Sequence, residues 1–259
     1  MMDRLLFILL FCFVIASCRQ SEKAPLTQEQ PISVSESTYK EYEVLLKEEA
    51  QTTNTDCQDE NETPTLGIGL VSAPAIFELF HDSLLTKRYV RWNTDSSETP
   101  SNVVCSKFYF PDYSIFHFVC LQETSRYYKV LANADQVKYF PKTKDYRFET
   151  WEEYILNSFG IRRKTGDLAS TNTYKQEVKQ APNKSSKSIE IPKGHEMFCP
   201  QEVTGDWVKV TYDCFYNKER NPYEGEPCHT FIQKCKEPVT GWLKWREGNQ
   251  VLIDILLMP

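Results

Sequence analysis

Apolar positions are unevenly spread along the chain. After a single cation, Arg4, the run from Leu5 to Ala16 is unbroken and apolar over 12 residues. That is short of the roughly 20 that cross a bilayer as a helix, and it fits the apolar segment of an export signal. From 19 to 66 apolar residues are sparse, which predicts a disordered tether without a core. Within it Thr38-x-x-Glu41 has the form of a capping box, and Tyr39, Tyr42, Leu45 and Leu46 fall near helical spacing, so one short helix is predicted there. After Leu66 the texture changes to short aromatic and β-branched runs broken by turn residues, an all-β signature. Thr150 to Leu156 reads as a capped helical turn or two, and Phe159 to Arg163 as the strand that follows. The polar stretch 164–188 reads as a long exposed loop. The last strand, Val251 to Leu257, alternates so that Val251, Ile253, Ile255 and Leu257 point inward.

The β region contains two divergent copies of one pattern. Thr124-Ser125-Arg126-Tyr127-Tyr128-Lys129-Val130 matches Thr204-Gly205-Asp206-Trp207-Val208-Lys209-Val210 at an offset of 80. Upstream, Phe110 to Tyr113 lines up with Ile191 to Gly194 at an offset of 81. Downstream, Val137-Lys138-Tyr139 lines up with Leu243-Lys244-Trp245. The gap before that match is 7 residues in the first copy and 33 in the second, so the second carries an insert of 26.

Charge sharpens this division. The formal net charge is −6 over 259 residues. In 19–66 eleven acidic side chains stand against four basic ones, a net of −7, and Asp3 cancels Arg4, which leaves +1 for 67–259. The acidity belongs to a solvated spacer, and no basic stripe marks a nucleic-acid partner. Only 9 glycines occur, which speaks against glycine-rich phosphate cradles.

Two resemblances follow from particular residues. Ile15-Ala16-Ser17-Cys18 resembles the lipobox of bacterial lipoproteins. The resemblance implies cleavage before Cys18 and acylation of that residue, with two or more chains giving a stable anchor. Ile191-Pro192-Lys193-Gly194, Gly205 to Val210, and Thr240-Gly241-Trp242-Leu243-Lys244 resemble the bacterial SH3-like (SH3b) module, with its Lys-Gly turn and its gDWvkV and tGWv strands. The first copy departs from it: Asp112-Tyr113 replaces Lys-Gly, Tyr127 replaces the tryptophan, and no Gly-Trp pair follows. The expected organisation is a signal at 1–17, an acidic tether at 18–66, a first SH3-like domain at 67–157 and a second at 158–259. The second holds a Cys-rich insert at about 211–239. The fold implied is two small SH3-like β-barrels in tandem with short helical turns. The family is non-enzymatic and often binds cell-wall peptides.

An exported chain meets oxidising conditions, where disulfides are the default. Seven cysteines remain after Cys12 and Cys18 are set aside. Cys57 lies in the tether and is the natural leftover of an odd set. Cys105 and Cys120 flank one predicted hairpin and are expected to pair. Cys214 with Cys235 would close the base of the insert, although four cysteines in the second copy allow three connectivities.

Metal and catalytic readings assemble poorly. His195-Glu196-Met197-Phe198-Cys199 is one residue from the zincin HExxH, which needs a helix. Pro192, Gly194 and Pro200 bracket it, and on a strand i and i+4 stand roughly 13 Å apart. A zinc set of His195, Cys199, Cys228, His229 and Cys235 stays open, but no CxxC knuckle exists. No GxSxG, P-loop or GxGxxG is present, and no cofactor is expected. By elimination the aromatics are the site candidates. Most, Trp207 among them, are assigned to the cores. Tyr127, Tyr139, Trp242 and Trp245 fall on matched strands as a stacking surface for sugar or peptide. Phe215, Tyr216, Tyr223 and Phe231 could make the insert a recognition loop. The expected protein is a non-enzymatic lipoprotein on the exported side of a bacterial membrane, anchored by lipid on Cys18. It would bind a cell-wall fragment or an envelope protein. The alternative is an immunity- or inhibitor-type lipoprotein that blocks a secreted enzyme with the insert as plug.

Overall fold

The computed structural model describes residues 63–94, 104–133, 135–164, 176–193 and 196–257. The export signal, Cys18, the tether through residue 62 with its predicted helix, Cys57, Gly194 and His195 lie outside the described residues, whereas Leu66, placed at the tether's end by the sequence, is buried in the fold.

The described chain is all-β apart from single turns of helix. Its first half holds β1 (Gly69–Ala73), β2 (Ile76–Phe80), β3 (Arg88–Asn93), β4 (Phe108–Phe110), β5 (Ile115–Glu123), β6 (Tyr127–Ala132), β7 (Gln136–Pro141) and β8 (Arg147–Glu149). These form one antiparallel sheet in the order β3-β2-β7-β6-β5-β1-β8, with β4 beside β5. A short helix, α1 (Trp151–Leu156), follows. The second half holds β9 (Gly160–Arg163), β10 (Phe198–Thr204), β11 (Trp207–Tyr212), β12 (Thr240–Lys244), the small hairpin β13 (Arg246–Glu247) and β14 (Gln250–Val251), and β15 (Ile253–Leu256). Its sheet runs β12-β11-β10-β9-β15.

The two sheets share one connectivity. In each, the first strand lies between the last and the second, and the second, third and fourth form a meander. These paths are β8-β1-β5-β6-β7 and β15-β9-β10-β11-β12. The β2–β3 hairpin is the addition that widens the first sheet. Both meanders also carry a register shift at the same place. It falls between Cys120 and Gln122 opposite Val130 and Lys129, and between Pro200 and Glu202 opposite Val210 and Lys209. Each of these residues lies 80 positions from its counterpart. An extra residue on one strand bends it and raises its twist, which curls a short sheet over its core.

Three expectations need correction. First, the sheets do not close into two barrels: among the described residues β3 shares no ladder with β8, nor β12 with β15. A barrel leaves no free edge, and these sheets keep theirs. Second, the downstream match slips by three residues. Tyr139 stands opposite Lys129 and Trp242 opposite Lys209, so the counterpart of Tyr139 is Trp242 and not Trp245. Third, the stretch 164–188 is not wholly an exposed loop. Val178 is buried, and the Lys179 backbone exchanges hydrogen bonds with Trp242 at 2.8 and 2.7 Å.

The first core is aromatic. Phe77 meets Phe116, Phe118 and Phe140 edge-on at 5.3, 5.8 and 5.7 Å. Such pairs add about 0.5–1.5 kcal/mol each beyond the area they bury. The second core gathers Ile161, Phe198, Val208, Val210, Leu243 and Ile253. The α1 helix lies between these halves, started by the capping box expected at Thr150: the Thr150 Oγ1 accepts the Glu153 N–H, and the Glu153 carboxylate accepts the Thr150 N–H. Its Trp151 stacks on Trp245 at 5.7 Å and donates from Nε1 to the Leu66 carbonyl at 2.7 Å. Past the helix, the Phe159 N–H reaches the Leu256 carbonyl at 2.9 Å. The insert folds over a cluster of its own, in which Phe215, Phe231 and Ile232 pack around Cys199, Cys228 and Cys235.

Candidate functional site

Strand alternation sends Tyr128 and Val130 of β6 into the first core, so Tyr127 and Lys129 take the other face. On β7, Phe140 points inward and Tyr139 outward. Tyr127 and Tyr139 meet edge-to-face with centroids 5.3 Å apart, and both are half-buried. The second sheet repeats the arrangement by the same cause. Val208, Val210 and Leu243 are fully buried, while their neighbours Trp207 and Trp242 are half-buried on the opposite face. Each sheet therefore shows one aromatic from its third strand and one from its fourth beside a lysine, Lys129 or Lys209. Burial holds the Lys129 ammonium below its ordinary pKa range.

The four expected site residues do not assemble into one groove. Tyr127 and Tyr139 come together, and Trp242 occupies the matching place on the other sheet. Trp245 is 2% exposed, stacked on Trp151 and hydrogen-bonded through Nε1 to the Gly205 carbonyl at 2.9 Å, so it joins the halves and meets no solvent ligand. Trp207 belongs with the surface residues and not with the core. Two sequence signals could have found it: its match to Tyr127, and its position one residue out of phase with Val208 and Val210.

The cysteines also rearrange the picture. Cys214 is bonded to Cys235 and Cys199 to Cys228, with Cα atoms 6.0 and 5.5 Å apart. The expected bridge between Cys105 and Cys120 is absent. Cys120 is a free, buried thiol facing the aromatic core, its pKa pushed up to about 12 chiefly by burial. Cys105 is disulfide-bonded, and its partner is none of the other described cysteines. The zinc set dissolves, because the sulfurs of Cys199, Cys228 and Cys235 are spent on disulfides. Glu196 is buried and grips Arg163 through both carboxylate oxygens, so it is held as a structural anion. Among the described residues no group of three or more His, Cys, Asp or Glu could hold a metal ion.

The half-buried imidazole of His117 is a packing element. His117 Nδ1 lies 2.7 Å from the Tyr154 hydroxyl and its ring sits against Phe108. Burial, with the Arg147 charge second, lowers its pKa to about 4. The insert bounds a cavity of about 80 Å³ whose lining includes Asp213, Tyr216, Tyr223, Glu224, Glu226 and Phe231. Drug-sized ligands need roughly 300–1,000 Å³, so this space admits a side chain and not a whole cofactor. No protein-family model, curated protein or solved structure matches this chain.

Proposed function

We propose that the chain is a non-enzymatic lipoprotein of the bacterial cell envelope, tethered through Cys18, whose two SH3-like modules bind cell-wall peptide or glycan. The observation that carries this reading is the repeated placement of two aromatics on one face of each sheet. Two sheets of the same strand order and the same bulge keep Tyr127 with Tyr139 and Trp207 with Trp242 half-exposed on corresponding faces. Core packing does not require rings there, and each sheet keeps two of them half-exposed on one face. Rings of this kind stack on sugar faces and on extended peptides. The open five-strand path with its 5-1-2-3-4 order supports an SH3-like lineage without asking for a closed barrel.

Co-sedimentation of the lipidated chain, held in detergent, with purified peptidoglycan tests the binding. Retention is expected, with a loss of roughly tenfold or more when Tyr127, Tyr139, Trp207 and Trp242 are all changed to Ser. Unchanged retention in that variant would refute the surface. Metabolic palmitate labelling tests the tether: it is expected to vanish in Cys18→Ala, and persistent labelling would refute it.

A second reading has its own support. The insert is closed by Cys214–Cys235 and pinned to β10 by Cys199–Cys228, the rigidity a plug for a secreted enzyme needs. Absence of wall retention, together with inhibition of a wall hydrolase lost on deleting the insert, would favour it.

A further inference from the structure

Cys105 is disulfide-bonded, and every other described cysteine is accounted for. Cys199 holds Cys228, Cys214 holds Cys235, and Cys120 is a free thiol. The partner of Cys105 is therefore Cys12, Cys18 or Cys57. Cys12 leaves with the export signal and Cys18 takes the lipid, a step that rests on the lipoprotein reading. Cys57 remains.

Geometry independent of that elimination points the same way. Ser72 of β1 and Phe108 of β4 both pair with His117, so they flank β5 on opposite edges. Two strand spacings, roughly 10 Å, separate them. Both strands run antiparallel to β5 and so enter the sheet in the same direction. The chain ahead of β1, which leads back to Cys57, arrives alongside the chain ahead of β4, which holds Cys105. Extended, the stretch from Cys57 to Ser72 spans up to roughly 50 Å, so the gap is well within reach. Asn133 holds the Cys105 end in place. Its Oδ1 accepts the Cys105 N–H at 2.6 Å, and its own N–H donates to the Cys105 carbonyl at 2.9 Å. From Val104 to Phe108 every residue is buried. A strand open on one face alternates, so this run is covered on both faces.

From these relationships we infer that Cys57 and Cys105 form a disulfide that clasps the end of the tether to the first sheet. Each thiol gives up one proton and one electron as the S–S bond forms. The electrons reduce the disulfide of an exported thiol–disulfide exchange protein to a dithiol, through a mixed disulfide. The seven exported cysteines then resolve into three bridges and one thiol, and the odd one is Cys120 instead of Cys57. The clasp makes Cys57 the point from which the lipid-bearing segment departs.

The exported, lipidated chain is purified without reductant, alkylated with N-ethylmaleimide in urea and digested with trypsin, and its linked peptides are identified by mass spectrometry. Cleavage after Lys and Arg places Cys57 in peptide 48–87, Cys105 in 92–107 and Cys120 in 108–126. A linked pair of 48–87 with 92–107 that separates on reduction is expected. In Cys57→Ser the alkylated thiols should rise from one, Cys120, to two, because Cys105 joins it. Alkylation of Cys105 in the parent, or its linkage to 108–126, overturns the inference while the lipoprotein reading stands. Linkage of 92–107 to 5–19, which holds Cys12 and Cys18, overturns both.

Discussion

Tyr139 and Trp242 stand at one place in two sheets, each opposite a lysine, Lys129 or Lys209, next to the same bulge. Trp245, three residues on, lies in the interior against Trp151. The two tryptophans of one short segment therefore carry opposite duties. Trp245→Ala is expected to cost about 3–5 kcal/mol, as buried Trp truncations do, and to leave the Gly205 carbonyl without its donor. Trp242→Ala should cost about 1 kcal/mol. Urea unfolding followed by circular dichroism measures both, and comparable losses would contradict the assignment of faces.

The disulfide pattern gives a thiol test. Cys120 is buried and its thiol is held protonated, so iodoacetamide should leave it unmodified in the native chain and label it once urea unfolds the protein. Replacing Cys214 and Cys235 together with Ser should lower stability by about 2–4 kcal/mol. Mass spectrometry of the alkylated chain reads the first outcome and urea unfolding the second.

His117 makes the first sheet sensitive to acid. Its folded pKa of about 4 lies below the ordinary 6.5, so protonation favours the unfolded chain. The stability tied to neutral His117 is complete above about pH 6.5 and is lost as pH falls through 4. His117→Gln retains a partner for the Tyr154 hydroxyl and cannot charge. Urea midpoints at pH 4.5 and pH 7 should differ less in that variant than in the parent, and equal slopes would contradict the account.

Gly241 is needed for packing. A Cβ there would lie 2.5 Å from Val178 Cγ1, 2.8 Å from Ile189 Cδ1 and 2.9 Å from the Lys179 carbonyl oxygen. The segment around Lys179 runs along β12 and leaves no room for a methyl group. Gly241→Ala should lift that segment and speed limited proteolysis between 176 and 190 while the sheets persist. An unaltered cleavage pattern would count against it.

Local chemistry made much of this legible. The 80-residue offset located the matching strands, and the structure adds matching bulges at Cys120 and Pro200 that obey the same offset. The Thr150 capping box and three of the inward set, Val251, Ile253 and Ile255, follow from short-range rules and hold in the structure, while Leu257 is only half-buried. What failed depended on distance. After an insert of free length, Trp242 and Trp245 each fit an aromatic–lysine pattern, and only the ladder to β11 distinguishes them. Cys105 and Cys120 were joined by nearness in sequence, yet alternation turns Cys120 into the aromatic core. The insert cavity is formed by Phe159 after α1, Met197 just before β10 and residues of the insert, a convergence no single stretch announces.

The central claim is that the half-exposed aromatic pairs are the recognition surface. Tryptophan emission of the full chain, titrated with soluble peptidoglycan fragments, tests it most directly, because Trp207 and Trp242 report from the proposed surface while Trp151 and Trp245 stay inside and Trp92 packs against the first core. A saturable change that disappears when Trp207 and Trp242 are both replaced by Phe is the expected result. A change of the same size in that variant, or none in the parent, would contradict the account.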